Sequence, residues 1–149
     1  MGQEQLSKPE HYQKLERMYL SGRCNDLYQP EICVDKGEAE ISFQVQESFF
    51  HAAGAVHGSV LFKGLDDAAY FAANSMEKRF FVVTSSFTTY FLRPVNKGRL
   101  TAKGRVVNRG KNQLIAESVV YDERGKEVAR GNGVFVASTT PLNADVGYE

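Results

Sequence analysis

Seven residues in the middle of this 149-residue chain could do chemistry together: His51, His57, Gly58, Ser59, Asp66, Asp67 and Thr84. His51 and His57 bracket a small-residue loop, Ala52–Val56, and Gly58 follows where a helix should begin. A helix N-terminus presents unpaired N–H groups and a partial positive charge, so it can polarise a carbonyl or hold an oxyanion. Glycine there lets a substrate come close. Either histidine could instead only satisfy backbone groups at the helix start. Asp66 and Asp67 come eight and nine residues after Gly58. A carboxylate could serve as nucleophile or as general base towards water. The alternative is a solvated edge in which Lys63 pairs with them. Thr84 opens a hydroxyl-rich run with Ser85, Ser86, Thr88 and Thr89, and should share a strand face with Val82 and Ser86. Such runs are also common in sheets with no chemical role.

The element that must position these groups is a helix that begins near Val56 to Ser59 and runs to about Met76. Ser59, Lys63, Asp66, Asp67, Tyr70 and Asn74 fall in one polar arc, and apolar residues, Phe62 and many alanines among them, cover the rest. A helix apolar on more than half its circumference is expected to be surrounded by protein. Buried acids are costly unless paired or used.

The flanking chain reads as a sheet. Ala39, Ile41, Phe43 and Val45 alternate with polar residues, which is strand periodicity. Residues 80–93, 99–108, 112–121 and 126–137 predict four more strands, joined by turns at Asn96–Gly98, Arg109–Lys111 and Asp122–Gly125. The short turns predict a four-strand antiparallel meander that curls around the helix. Ser7, Pro9 and Glu10 predict the start of a short amphipathic helix that ends at Ser21-Gly22, inside an N-terminal segment over 1–26. From Ser138 periodicity is lost, and 138–149 is expected to be a loose tail. One domain over 1–149 is expected.

Composition narrows the function. Eighteen basic and eighteen acidic residues give a formal net charge of zero, with no basic excess for nucleic acid or an anionic membrane. No apolar run approaches the roughly 20 residues of a membrane span, and the first residues lack a signal-peptide pattern. A cytoplasmic protein with two reduced thiols, Cys24 and Cys33, is expected. Two cysteines at that spacing do not make a zinc site, and no metal or cofactor is expected. A Gly-x-Ser-x-Gly elbow, a Walker loop and His-Glu-x-x-His are all absent. Gly125, Gly131 and Gly133 are no dinucleotide fingerprint, because no helix follows them.

The segment Gly54-Ala55-Val56-His57-Gly58-Ser59, with Asp66 nine residues after His57, resembles the G-x-x-H-G-G…D signature of hotdog-fold acyl-CoA thioesterases, the phenylacetate-pathway (PaaI-like) branch in particular. Tyr90-Phe91-Leu92-Arg93-Pro94 is similar to that family's F-L-R-P strand ending. The resemblance covers about residues 38–137. It implies an α+β hotdog fold, an antiparallel sheet wrapped around a central long helix. It also implies that the Gly58 N–H polarises a thioester carbonyl, Asp66 is the nucleophile or base, and Thr84 positions water. His51 stands where the family often has Asn, and Ser59 replaces its second Gly. Ungapped spacing selects Asp66, whereas the family's Leu-x-Asp pattern selects Asp67. Family sites form across a homodimer, which often pairs into a homotetramer.

The leading expectation is a thioesterase acting on acyl-CoA or an acyl-carrier protein. A non-catalytic acyl-CoA sensor is the alternative, and a thioester hydratase would want a His after the acids, which the helix lacks. Gly58 and Asp66 are separated by roughly 12 Å along one helix at 1.5 Å per residue. One helix therefore cannot bring both to one carbonyl, and a second subunit is expected on that ground alone.

Overall fold

The computed structural model describes residues 8–149. Two helices, α1 (Glu10–Ser21) and α2 (Gly58–Ser75), accompany six strands: β1 (Glu31–Asp35), β2 (Glu38–Gln44), β3 (Phe80–Phe91), β4 (Arg99–Arg109), β5 (Leu114–Tyr121) and β6 (Glu127–Pro141). The strands form one antiparallel sheet in the order β1-β2-β4-β5-β6-β3, and α2 lies against all six. This is the hotdog fold expected from the sequence.

Period-2 patterning explains the sheet face. On β2, Ala39, Ile41 and Phe43 are buried while Glu38, Glu40 and Gln44 are exposed. The alanines of α2 explain how closely helix and sheet approach. Ala68, Ala69, Ala72 and Ala73 have no exposed surface. A Cβ added at Gly104 of β4 would come within 2.3 Å of the Ala68 carbonyl oxygen, so backbone meets backbone there. Ser118 on β5 is buried and its hydroxyl donates to Leu65 O at 2.7 Å, which ties the sheet to the helix one residue before Asp66.

The meander is shorter than expected. β4, β5 and β6 are consecutive neighbours, but β3 pairs with β6 and forms the opposite edge from β1. The connection after β3 is extended through Pro94 and crosses the start of α2, where Val56 N–H donates to Val95 O at 2.9 Å. Seven residues reach up to roughly 24 Å. Three strand spacings span about 14 Å. A link with a turn signal is thus long enough to cross over rather than turn back.

Other expectations are corrected in detail. Asn74 is not on the polar arc: it is fully buried, donates to Glu77 O (3.0 Å) and Phe80 O (3.2 Å), and accepts from Val82 N–H (3.2 Å). Phe62, grouped with the buried apolar residues, is exposed and packs edge-on against Phe87 at 5.6 Å. Ser86 does not share a face with Thr84, because a β-bulge between Thr84 and Ser86 resets the alternation. At the start of α1, Pro9 occupies the N-cap position with no side-chain cap, and the proposed Ser7 cap lies outside the described residues. Residues 138–149 are not a loose tail. β6 continues to Pro141, and the chain then folds back onto α1. Beyond Pro141 side-chain alternation fails because the segment packs on a helix instead of a sheet.

Candidate active site

The loop before α2 is built by its two histidines. His51 N–H donates to Ala55 O (2.9 Å), and His51 Nδ1 accepts from Ala53 N–H (3.0 Å). Gly54 takes the left-handed turn position at φ 80°. His57 is the N-cap of α2, and its Nδ1 accepts the Ser59 N–H at 3.0 Å and lies 2.8 Å from Ser59 Oγ. An accepting Nδ1 leaves the ring proton on Nε2. Ser59 N–H and Val60 N–H are thus bound to His57, the latter through His57 O at 3.0 Å. Gly58, the first residue of the helix, has no carbonyl a turn earlier to receive its N–H. His51, His57 and Gly58 line one open cleft with Leu61 and Phe91–Pro94. The Phe91 ring rests on Gly58: a Cβ added there would lie 2.9 Å from Phe91 Cζ.

The two acids have different surroundings. Asp67 Oδ2 accepts from Lys63 Nζ at 2.6 Å and from the Tyr19 hydroxyl of α1 at 2.8 Å. Lys63 Nζ also lies over the rings of Tyr19 (5.6 Å) and Tyr28 (5.2 Å). Burial, with Asp67 beside it, pushes the Tyr19 phenol far above its usual range, so it remains a donor. Asp66 Oδ1 instead accepts a single hydrogen bond, 2.9 Å from Thr84 Oγ1 of β3. Burial raises the Asp66 carboxyl above its ordinary value. The Thr84 bond opposes the rise, Asp67 adds to it, and Lys63 opposes it again.

Asp66, Asp67 and Thr84 line a second cleft, of ≈ 590 Å³, together with Met18, Tyr19, Tyr70, Phe71, Phe81–Val83 and Asp145–Gly147. The structure therefore joins Asp66 to Thr84 in one cleft and His51 and His57 to Gly58 in another within one chain, with Ser59 bonded to His57 outside the lining. Tyr19, Tyr28 and Ser118 had no motif to reveal them. They come from elements distant in sequence, and only the spacing of Lys63 to Asp67 was visible beforehand. Among the described residues no group of His, Cys, Asp and Glu is placed to hold a metal, and both cysteines are unpaired and exposed. No described helix is long and apolar enough to cross a membrane.

Comparison with known proteins places this geometry. The family model of the Thioesterase superfamily matches residues 53–129, more than half of the chain. The PaaI protein of the E. coli phenylacetic acid degradation operon superposes with a TM-score of 0.82 at 26% identity, covering 90% of this chain and 97% of that one. AziG of S. sahachiroi superposes with a TM-score of 0.73 at 27% identity, covering 78% and 96%. A curated Saccharolobus solfataricus protein, whose name goes no further than esterase, is 28% identical over 103 residues, 69% of each chain. The matched segment contains the loop from residue 53 on with His57, all of α2 and Thr84, while His51 lies just before it, and the chain belongs to the thioesterase superfamily, in the PaaI-like branch of the hotdog proteins.

Proposed function

We propose that this protein hydrolyses an acyl thioester of coenzyme A, or of a carrier protein, to the free acid and thiol. The observation that carries the reading is the contrast between the acids. Asp67 is held by Lys63 and Tyr19, whereas Asp66 faces a cleft with one hydroxyl partner and a raised proton affinity. In the water route, the Asp66 carboxylate takes a proton from water positioned beside Thr84. The water oxygen bonds to the thioester carbonyl carbon, and the carbonyl electrons move onto an oxyanion held by a Gly58 N–H. Collapse expels the thiolate, which takes up a proton. In the nucleophile route, Asp66 attacks first, expels the thiolate and forms a mixed anhydride that water then opens.

The donor and the acid belong to different subunits in this proposal. A second copy has an available place to bind. β3 is a 12-residue edge strand with Val83, Tyr90 and Phe91 exposed, and long apolar edges are normally covered. The protein is therefore proposed to be a homodimer, which two outward-facing sheets could pair into a tetramer, acting in the cytoplasm as a single domain over 1–149. The test is thiol release from a panel of acyl-CoAs by wild type, Asp66→Asn and Asp67→Asn. If neither substitution lowers turnover at least about tenfold, the acid is misassigned.

One observation favours a second reading, a non-catalytic acyl-CoA sensor: the Phe91 ring packs on the Cα side of Gly58 within its cleft. Tight binding of an acyl-CoA in calorimetry, with no thiol released over hours, would establish it.

A further inference from the structure

The segment after β6 is fastened at many points. Leu142 N–H donates to Arg79 O at 2.9 Å. The Asn143 side chain accepts from Asp145 N–H at 3.0 Å, and Asn143 O accepts from Tyr148 N–H at 3.0 Å, which closes a tight turn. Gly147 sits at φ 82°, and a Cβ there would lie 2.4 Å from Ser21 Oγ. The turn thus rests directly on the last turn of α1. The Tyr148 hydroxyl lies 2.7 Å from His11 Nδ1, while His11 Nε2 lies 3.0 Å from Asn74 O at the end of α2. Lys14 Nζ stands over the Tyr148 ring at 5.4 Å, and Arg17 bonds to the Glu149 carbonyl. Leu142, Val146 and Tyr148 pack against the core.

This strap borders the cleft of the candidate acid. Asp145, Val146 and Gly147 line the same cleft as Asp66 and Thr84, facing a lining that includes Phe71, Phe81 and Val82. A cleft of ≈ 590 Å³ with an acid and apolar walls has the size and chemistry of a small-molecule site. The strap lies beyond the family-matched segment, which ends at residue 129.

We propose that the strap Asn143–Tyr148 is the selectivity wall for the acyl group, with Val146 limiting the length of apolar chain that the Asp66 cleft accepts. This rests on the thioester reading for the identity of the ligand. It does not need hydrolysis, because a wall acts on binding. Gly147 and Tyr148 set the position of Val146, since one fits only as glycine and the other is bonded to His11.

The test uses non-hydrolysable S-alkyl-CoA thioethers, from methyl to dodecyl, bound by the full chain in calorimetry. Each affinity is read relative to S-methyl-CoA. Val146→Phe is expected to lose at least tenfold relative affinity for the longest chain that wild type binds well. Val146→Ala is expected to move the optimum to a longer chain. Gly147→Ala, strained and crowded against Ser21, is expected to lift the strap and flatten the length profile. A profile unchanged in the folded Val146 variants overturns the proposal, as does wild type that binds no thioether. Thiol release from the matching acyl-CoAs is measured in parallel. Strap-dependent binding without release would leave the wall standing and remove the hydrolytic reading.

Discussion

Thr84 Oγ1 donates to Asp66 Oδ1 across 2.9 Å, and this bond joins the edge strand β3 to the middle of α2. The neighbouring Asp67 turns towards α1 and is consumed by Lys63 and Tyr19. If Asp66 is the base or nucleophile, Asp66→Asn should lower kcat by about 10²- to 10⁴-fold, whereas Asp67→Asn should cost less than about tenfold. Steady-state thiol release on one acyl-CoA decides it, and equal losses would discard the distinction.

The pH dependence has a definite sign. A reacting carboxylate must be ionised, so activity falls as pH drops through the Asp66 value, which burial places above the ordinary 3.8. The Thr84 bond favours the charged form, so Thr84→Val should move the acid limb of kcat/KM to higher pH. A limb that moves to lower pH contradicts the assignment. Stability carries the opposite trend. The native state holds the Asp66 proton more tightly than the unfolded state, so this group costs stability as pH rises from 3.8 through its folded value. Asp66→Asn should therefore melt higher than wild type at neutral pH, and the gain should vanish below the ordinary carboxylate range.

Division of the site between subunits can be tested by complementation. Gly58→Pro removes the donor N–H at the first helical position, where a proline backbone fits, with the Phe91 ring tip shifting to admit its Cβ. Mixed with Asp66→Asn and allowed to exchange subunits, it should restore about a quarter of wild-type activity, from one intact site in half of the dimers. Two folded, inactive parents that stay inactive when mixed, despite proven exchange, would discard a site shared by Gly58 and Asp66 of different subunits.

Asn74 makes a stability prediction separate from chemistry. Its amide bonds Glu77 O, Phe80 O and Val82 N–H while fully buried. Asn74→Ala would leave those backbone groups unsatisfied and should cost about 2–3 kcal/mol in urea unfolding. A loss below about 0.5 kcal/mol would mean that water replaces the amide.

Much of this protein was legible from local pattern. The alternation on β2, the alanine-rich apolar helix and the glycine-histidine loop each report on neighbours within a turn or a strand. The physics there is short-range: backbone sterics, side-chain period and helix-end polarity. Gly58 at the helix start and Asp66 on its partly buried face were accessible for that reason. The partner of β3 was not. A seven-residue link satisfies either a return or a crossover, and only the curl of the sheet around α2 selects β6. The order of residues 138–149 is not legible locally, because 138–141 pair with β3 and the residues after Pro141 pack on α1, more than 100 residues earlier in the chain.

The sequence by itself determined the fold class, the helix that carries the acids, and the separation of donor and acid along that helix, because these follow from periods of 2 and 3.6 residues and a fixed rise. It favoured Asp66 over Asp67 only through ungapped spacing from His57, since adjacent residues on a helix differ only in direction. Tertiary structure decided between their environments. α1 brings Tyr19 to Asp67, β3 brings Thr84 to Asp66, and the strap closes beside them.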